Sequence, residues 1–207
     1  MVNKYTFLGI RVDNTTMDQV ATQVTQSIQA NKPCNIITVN PELVMAARKN
    51  NAFKEAIEKA DIVTPDGVGL LMIGRLTKRR LTERVTGVDL CDRLAQLAAH
   101  NSWGIYLLGA KPGVAATAAE NLQKKYPKLI ISGISNADPE DNSIEPIVAA
   151  KPHILLVAYG SPTQELWIKQ HQKQLGTMTT IGVGGSFDFI AGSAKRAPIA
   201  LQKIGLE

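Results

Sequence analysis

The sequence predicts an α/β fold, Rossmann-like, with a mainly parallel sheet and helices on both faces. Three observations predict it. Short apolar runs alternate with segments of helical period along the whole chain. Polar and glycine-containing turns recur where the apolar runs end. No internal repeat, low-complexity tract or linker interrupts the alternation, which is the pattern of a parallel sheet wrapped by its crossover helices.

The elements follow in order. Tyr5–Val12 reads as one strand. Met17, Val20, Ala21, Val24 and Ile28 share one helical face, and Thr15 with Asp18 suggests a capping box at its start. Cys34–Val39 is a strand, closed by Asn40-Pro41 and followed by a helix carrying Leu43, Val44 and Ala47. Asp61–Thr64 is a strand ending in Pro65-Asp66-Gly67, and a glycine-containing helix runs to about Gly74. Thr86 and Asp89 open a capped helix that reaches about His100. Gly104–Leu108 is a strand entering the loop Gly109–Gly113, and a helix follows to Tyr126. Leu129–Ile134 is a strand and Pro139–Ala150 a helix. His153–Ala158 is a strand ending at Gly160, after which Ser161, Pro162 and Gln164 open a helix. Met178–Val183 is the last strand, ending in Gly184-Gly185-Ser186-Phe187-Asp188.

The chain has 207 residues, enough for one sizeable core, and residues 1–207 are expected to form a single domain. Aromatic residues make up 5%, which argues against a base-stacking nucleic-acid platform. A net charge of +5 suits an anionic ligand, and equally suits plain solubility. Cys34 and Cys91 are far apart and belong to no ligand cluster, so two buried free thiols in a reducing cytoplasm are expected. No signal peptide is visible, and no run approaches the roughly 18 apolar residues that span a bilayer.

Parallel sheets bind ligands outside the carboxyl ends of their strands. Polar residues collect there: Thr38 and Asn40, Asp66, Gly109–Gly113, Gly160–Gln164 and Gly184–Asp188. Asp66 lies between Pro65, which fixes its own φ, and Gly67, which permits close approach of a ligand. A carboxylate there can take a proton from an attacking hydroxyl, and Asp is also a favoured helix N-cap. Thr38 and Asn40 share one strand face and could grip a hydroxyl or acetamido group, unless Asn40 only caps the next helix. Gln164 fits a capping box with Ser161 as well as it fits a ligand contact. Gly109 begins a loop whose N–H groups could cradle phosphate, though it is neither a Walker A nor a GxGxxG sequence. Gly182-Val183-Gly184-Gly185 is half a dinucleotide fingerprint, and Asp188 behind it could accept from a base or ribose, or simply start a helix.

Arg75, Lys78, Arg79, Arg80 and Arg84 form the densest basic cluster. It is either a solvated face or a contact for anionic lipid or diphosphate, with Arg84 favoured for diphosphate because a guanidinium binds phosphate oxygens bidentately. There is no Asp-x-Asp triplet and no His/Glu set, so no metal is expected. His100, His153 and His171 are isolated and expected to be structural or exposed.

These motifs occur together in a recognisable order. Thr38-Val39-Asn40-Pro41-Glu42, Pro65-Asp66-Gly67-Val68-Gly69, Arg84-Val85-Thr86-Gly87-Val88-Asp89 and Leu107-Leu108-Gly109-Ala110 come first. Gly160-Ser161-Pro162-Thr163-Gln164-Glu165, Gly182 to Asp188, and Lys195-Arg196-Ala197-Pro198 complete the set. From about Phe7 to its end the chain resembles the WecG/TagA/CpsF bacterial glycosyltransferases, and within them the N-acetylmannosaminyltransferase branch of wall teichoic acid synthesis. The resemblance implies a UDP-sugar donor (UDP-N-acetylmannosamine in that branch), an undecaprenyl-diphosphate-linked N-acetylglucosamine acceptor, inversion, no cofactor or metal, and work at the cytoplasmic face of the membrane. It implies Asp66 as general base, with Arg84 offsetting charge on the leaving diphosphate. It also implies Thr38, Asn40, Arg84 and Gln164 as pocket residues and Asp188 near the uracil; Gly109 and Gly185 are expected as further substrate contacts from their strand-end loops alone.

Relatives in this family usually continue past Ile204-Gly205-Leu206-Glu207 with a basic, amphipathic, membrane-associating tail, and Ala200 stands where a bulkier residue is common. The expectation is therefore a truncated, poorly active form able to bind donor, with self-association as an open possibility. Related donors (the uronic acid of N-acetylmannosamine, or glucose) stay open, as do a nicotinamide-dependent oxidoreductase and a non-catalytic nucleotide-binding module.

Overall fold

The computed structural model describes residues 3–141 and 144–195. Arg196, Ala197, Pro198, Ala200 and the Ile204–Glu207 end, all singled out in the sequence, lie outside the described residues.

The expected first strand is two. β1 (Asn3–Phe7) and β2 (Ile10–Asn14) pair antiparallel across Leu8 and Gly9. Both turn residues have positive φ, 52° and 82°, as a tight two-residue hairpin demands. Gly9 meets that demand cheaply and Leu8 does not, so the apolar Leu8 disguised the turn. Helix α1 (Met17–Gln29) is capped one residue later than expected: Thr16 Oγ1 accepts from Gln19 N, and Gln19 Oε1 accepts from Thr16 N.

The main sheet holds β3 (Cys34–Val39), β4 (Ile62–Pro65), β5 (Gly104–Gly109), β6 (Ile130–Ser135), β7 (Ile154–Ala158) and β8 (Thr179–Gly182). Its order is β4-β3-β8-β7-β5-β6, and every neighbouring pair is parallel. The helices are α2 (Pro41–Lys49), α3 (Asn51–Lys59), α4 (Val68–Leu76), α5 (Gly87–Asn101), α6 (Val114–Lys125), α7 (Glu145–Ala150), α8 (Thr163–Leu175) and α9 (Ser186–Ala191). The single helix expected after Asn40-Pro41 is split at Asn50, which ends α2 and caps α3 through Phe53 N. The helix expected over Pro139–Ala150 is a short 3-10 turn at Pro139–Asp141 followed by α7.

Alternate strand residues point to opposite faces. Ile36, Ile105, Leu107, Ile154, Leu156 and Ile181 pack with α1, α5, α6 and α9. On the other face Ile37, Val39 and Val63 pack with the hairpin, α2, α3 and α4, while Tyr106, Leu108, Leu155 and Val157 pack with α7 and α8. Each fully buried aliphatic chain contributes about 1.5–3 kcal/mol, so both layers are held mainly by this burial.

The edge strand β4 is covered by the hairpin. Arg11 and Asp13 of β2 form a buried pair at 2.6 Å. Asp13 Oδ2 also accepts from Val63 N at 2.9 Å, and Arg11 donates to Ala60 O at 2.7 Å and Asp61 O at 3.1 Å. The pair thus satisfies backbone groups that an open edge would leave to another chain.

β3 and β8 are neighbours, yet β3 runs into α2 on one face and β8 into α9 on the other. Divergence of the two following helices opens a crevice at the carboxyl ends of these strands, the usual ligand position in such sheets.

Candidate active site

A cavity of about 450 Å³ occupies that crevice. The end of β3 supplies Thr38 and Asn40, the end of β4 supplies Asp66, and the loop after β8 supplies Gly185 and Ser186. Arg84 and Thr86 come from the stretch leading into α5. That stretch is fastened beside β4: Val85 N donates to Pro65 O at 2.9 Å, and Thr64 Oγ1 donates to Val85 O at 3.1 Å. The fastening sets Arg84 and Asp66 in the wall of one cavity.

Asp66 does not cap the helix that follows it. Helix α4 is preceded by Gly67, with no side-chain cap bond. Instead Asp66 Oδ2 accepts from the backbone N–H of Gly87, the first residue of α5, at 3.2 Å. The positive end of that helix therefore faces the carboxylate and stabilises its negative charge. Gly67 has φ of +136°, and a Cβ there would stand 3.2 Å from Pro41 Cδ and 3.4 Å from Asn40 Cβ. The close approach that Gly67 permits is thus that of the β3–α2 turn, packing one strand-end loop against the next.

Asn40 does cap its helix: Oδ1 accepts from Leu43 N at 2.8 Å. This bond orients the side chain, and Asn40 stands in the cavity wall. Thr86 is both wall and cap, accepting from Asp89 N at 3.1 Å. Val68, Val88, Val183 and Phe189 supply the apolar part of the wall.

Gln164 is only 3% exposed and is not in the wall of this cavity. The expected capping box with Ser161 does not form; α8 starts at Thr163 without a side-chain cap. Gln164 Oε1 accepts from Gly160 N at 3.1 Å and from Gly184 N at 3.0 Å. Its Nε2 donates to Glu165 Oε1 at 2.8 Å and to Ser161 Oγ at 3.2 Å. The side chain clips the loop after β7 to the loop after β8. Gly182 makes room for it, since a Cβ there would lie 2.6 Å from Gln164 Nε2. Gly182 and Gly184 of the half dinucleotide fingerprint thus serve this internal clip, while Gly185 lines the cavity.

Glu165 is 1% exposed. Burial pushes its carboxyl above the usual value, partly offset by bonds from Ser161 and Gln164. Its Oε2 has no hydrogen-bond partner among the described residues.

Gly109 ends β5, and Asp188 lies in the first turn of α9, accepting from Ser193 Oγ at 3.3 Å. Both are on the same carboxyl edge of the sheet, outside the wall of this cavity. Arg75, Lys78, Arg79 and Arg80 are exposed and, unlike Arg84, are not in the cavity wall. The sequence reading also missed Glu42, Ser186 and Phe189 as wall residues. All but Phe189 sat inside the quoted motifs, but nothing local distinguishes a wall residue from a helix-start one.

Cys34 and Cys91 are buried and free, and burial pushes both thiols up to about 12. His100 is exposed, His153 accepts from Gly104 N at 3.0 Å, and His171 is buried against Trp167. Among the described residues no group of three or more His, Cys, Asp or Glu is placed to hold a metal. No described helix is long and apolar enough to cross a membrane.

A cleft at the sheet's switch point, with a carboxylate and a guanidinium in one wall, suits activation of a hydroxyl against a diphosphate ester. Comparison with known proteins specifies the family. The model for the glycosyl transferase WecG/TagA/CpsF family matches residues 5–207. The chain belongs to this family. Proteins of Staphylococcus aureus strains NCTC 8325 / PS 47 and COL are each 34% identical to it over 209 residues, covering 99% of this chain and 82% of theirs. Both are named N-acetylglucosaminyldiphosphoundecaprenol N-acetyl-beta-D-mannosaminyltransferase. As a WecG/TagA/CpsF glycosyltransferase the chain is an enzyme, which sets aside the oxidoreductase and the non-catalytic module.

Proposed function

We propose that this glycosyltransferase transfers N-acetylmannosamine from UDP-N-acetylmannosamine to undecaprenyl-diphosphate-linked N-acetylglucosamine, forming the linkage disaccharide of wall teichoic acid. Transfer inverts the anomeric centre, needs no metal, and takes place at the inner face of the cytoplasmic membrane. The observation that carries the chemistry is the joint presence of Asp66 and Arg84 in one switch-point cavity. The relatives' names supply the sugars and the lipid.

The steps follow from charge. An acceptor hydroxyl of N-acetylglucosamine attacks the anomeric carbon and loses its proton to the Asp66 carboxylate. The bond from that carbon to the β-phosphate oxygen breaks, and its electron pair leaves with UDP. Asp66 is the general base of the step, taking the proton as the attacking oxygen gains its bond to carbon and becomes acidic. Arg84 opposes the charge growing on the leaving diphosphate. Thr38 and Asn40, both in the cavity wall, hold the hydroxyl and acetamido groups of the sugar.

The test is transfer to a water-soluble, short-prenyl version of the acceptor, in EDTA, with the product anomer read by NMR. The proposal expects an inverted disaccharide at an undiminished rate. A retained anomer, or a reaction that EDTA abolishes and a divalent ion restores, would overturn it. UDP binding is checked separately: at a hundred times its dissociation constant UDP should stabilise the fold by about 2.7 kcal/mol, readable as a melting shift.

A further inference from the structure

Helix α4 has two sides of unlike use. Leu70 and Gly74 are buried against the hairpin layer, whereas Met72, Ile73 and Leu76 are exposed by 58%, 42% and 84%. Positions 72, 73 and 76 share one stripe of a helix. Four cations, Arg75, Lys78, Arg79 and Arg80, border the stripe within six residues and with no acidic residue among them. The hairpin joins the same face: Arg79 donates to Thr6 O, close in sequence to Leu8, which is 60% exposed.

We infer that this face, the outer stripe of α4 with its basic border and the hairpin tip, docks on an anionic phospholipid bilayer. Three features favour that occupant. A helix face with apolar residues at its centre and cations at its edge matches an interface whose headgroups are negative and whose interior is apolar. A nucleic acid would match the cations and leave Leu76, Met72 and Ile73 in water. The first turn of the same helix, at Val68 and Gly69, forms part of the cavity wall. Leu76 lies eight residues from Val68, so about 12 Å separates them along the axis. A face docked along this stripe therefore holds the cavity wall within about 12 Å of Leu76, beside the surface from which a lipid-linked diphosphate projects. The inference rests on the lipid-linked acceptor of the proposed function.

The test uses the whole chain with a single dye on a Leu76→Cys variant; Cys34 and Cys91 are buried and stay unlabelled in the folded protein. An environment-sensitive fluorophore at this position should shift to the blue with vesicles of equal phosphatidylcholine and phosphatidylglycerol, and not with phosphatidylcholine alone. Added salt should reverse the shift. Co-sedimentation of the unlabelled protein with the mixed vesicles should weaken about thirtyfold in the Lys78→Glu, Arg80→Glu double variant, with an unchanged melting temperature. Four outcomes overturn the inference. They are no binding to mixed vesicles, binding without a dye shift, binding indifferent to the double variant, and a dye shift that follows protein concentration in the absence of lipid. The last would mean that a second copy covers the face. Transfer to the soluble acceptor does not require docking. Its survival in the double variant separates a failed docking face from a failed function, and its loss in the parent chain would sink the function alone.

Discussion

At the residue scale, identity was easier to read than role. Asp66 stood out because Pro65 and Gly67 bracket it, and it does line the cavity; its tie to Gly87 was illegible because the partner is 21 residues away. Asn40 was legible as a cap, since the Asn-Pro signal is local. Gln164 looked like a cap for the same local reason, but its partners lie on two loops that only the folded sheet brings together. Its removal is informative. Gln164→Ala leaves the N–H groups of Gly160 and Gly184 unpaired in a partly buried place, and should cost about 1–3 kcal/mol in urea unfolding. A loss below the error of the extrapolation would contradict the clip. Glu165 gives a pH signature. Its carboxyl is raised above the ordinary 4.5 by burial, so the folded state holds the proton more tightly than the unfolded chain. The stabilisation from that proton is present below about pH 4.5 and is lost as pH rises through the folded value. Between pH 4.5 and 8 the parent should lose melting temperature relative to Glu165→Gln, and parallel curves would contradict the assignment.

At the scale of elements, boundaries failed where a turn carried an apolar residue or a helix changed its hydrogen bonding. The hairpin was hidden by Leu8, and the α2–α3 break by Asn50, which a helical period tolerates. The strands of the main sheet were read to within a few residues because each is a short apolar run closed by turn residues. No pattern disclosed the Arg11–Asp13 clamp, since its members are two residues apart in a strand and its backbone targets lie 47 to 50 residues away. Breaking a buried ion pair leaves one charge uncompensated and typically costs about 3–5 kcal/mol. Asp13→Ala should therefore lower the urea midpoint by that equivalent with its slope unchanged. A near-neutral result would mean that water compensates Arg11 and that the edge is held by packing.

At the scale of the molecule, alternation of strand and helix disclosed a parallel sheet with two helical layers, and hence which ends of which strands to search. It did not disclose the order β4-β3-β8-β7-β5-β6, because order is set by pairings between strands distant in the chain. That order is what separates the wall residues from the rest. Thr38, Asn40, Asp66 and Gly185 belong to three adjacent strands, β4, β3 and β8, whereas Gly109 ends β5, two places further along. On the proposed function, the cavity between β3, β4 and β8 is where the sugar changes hands, with Asp66 taking the proton. The most direct measurement is the transfer rate of Asp66→Asn on the soluble acceptor, made beside its affinity for UDP. The expected rate is lower by about 10²–10⁴-fold, with UDP affinity nearly unchanged. A variant that transfers at the parent rate would contradict it.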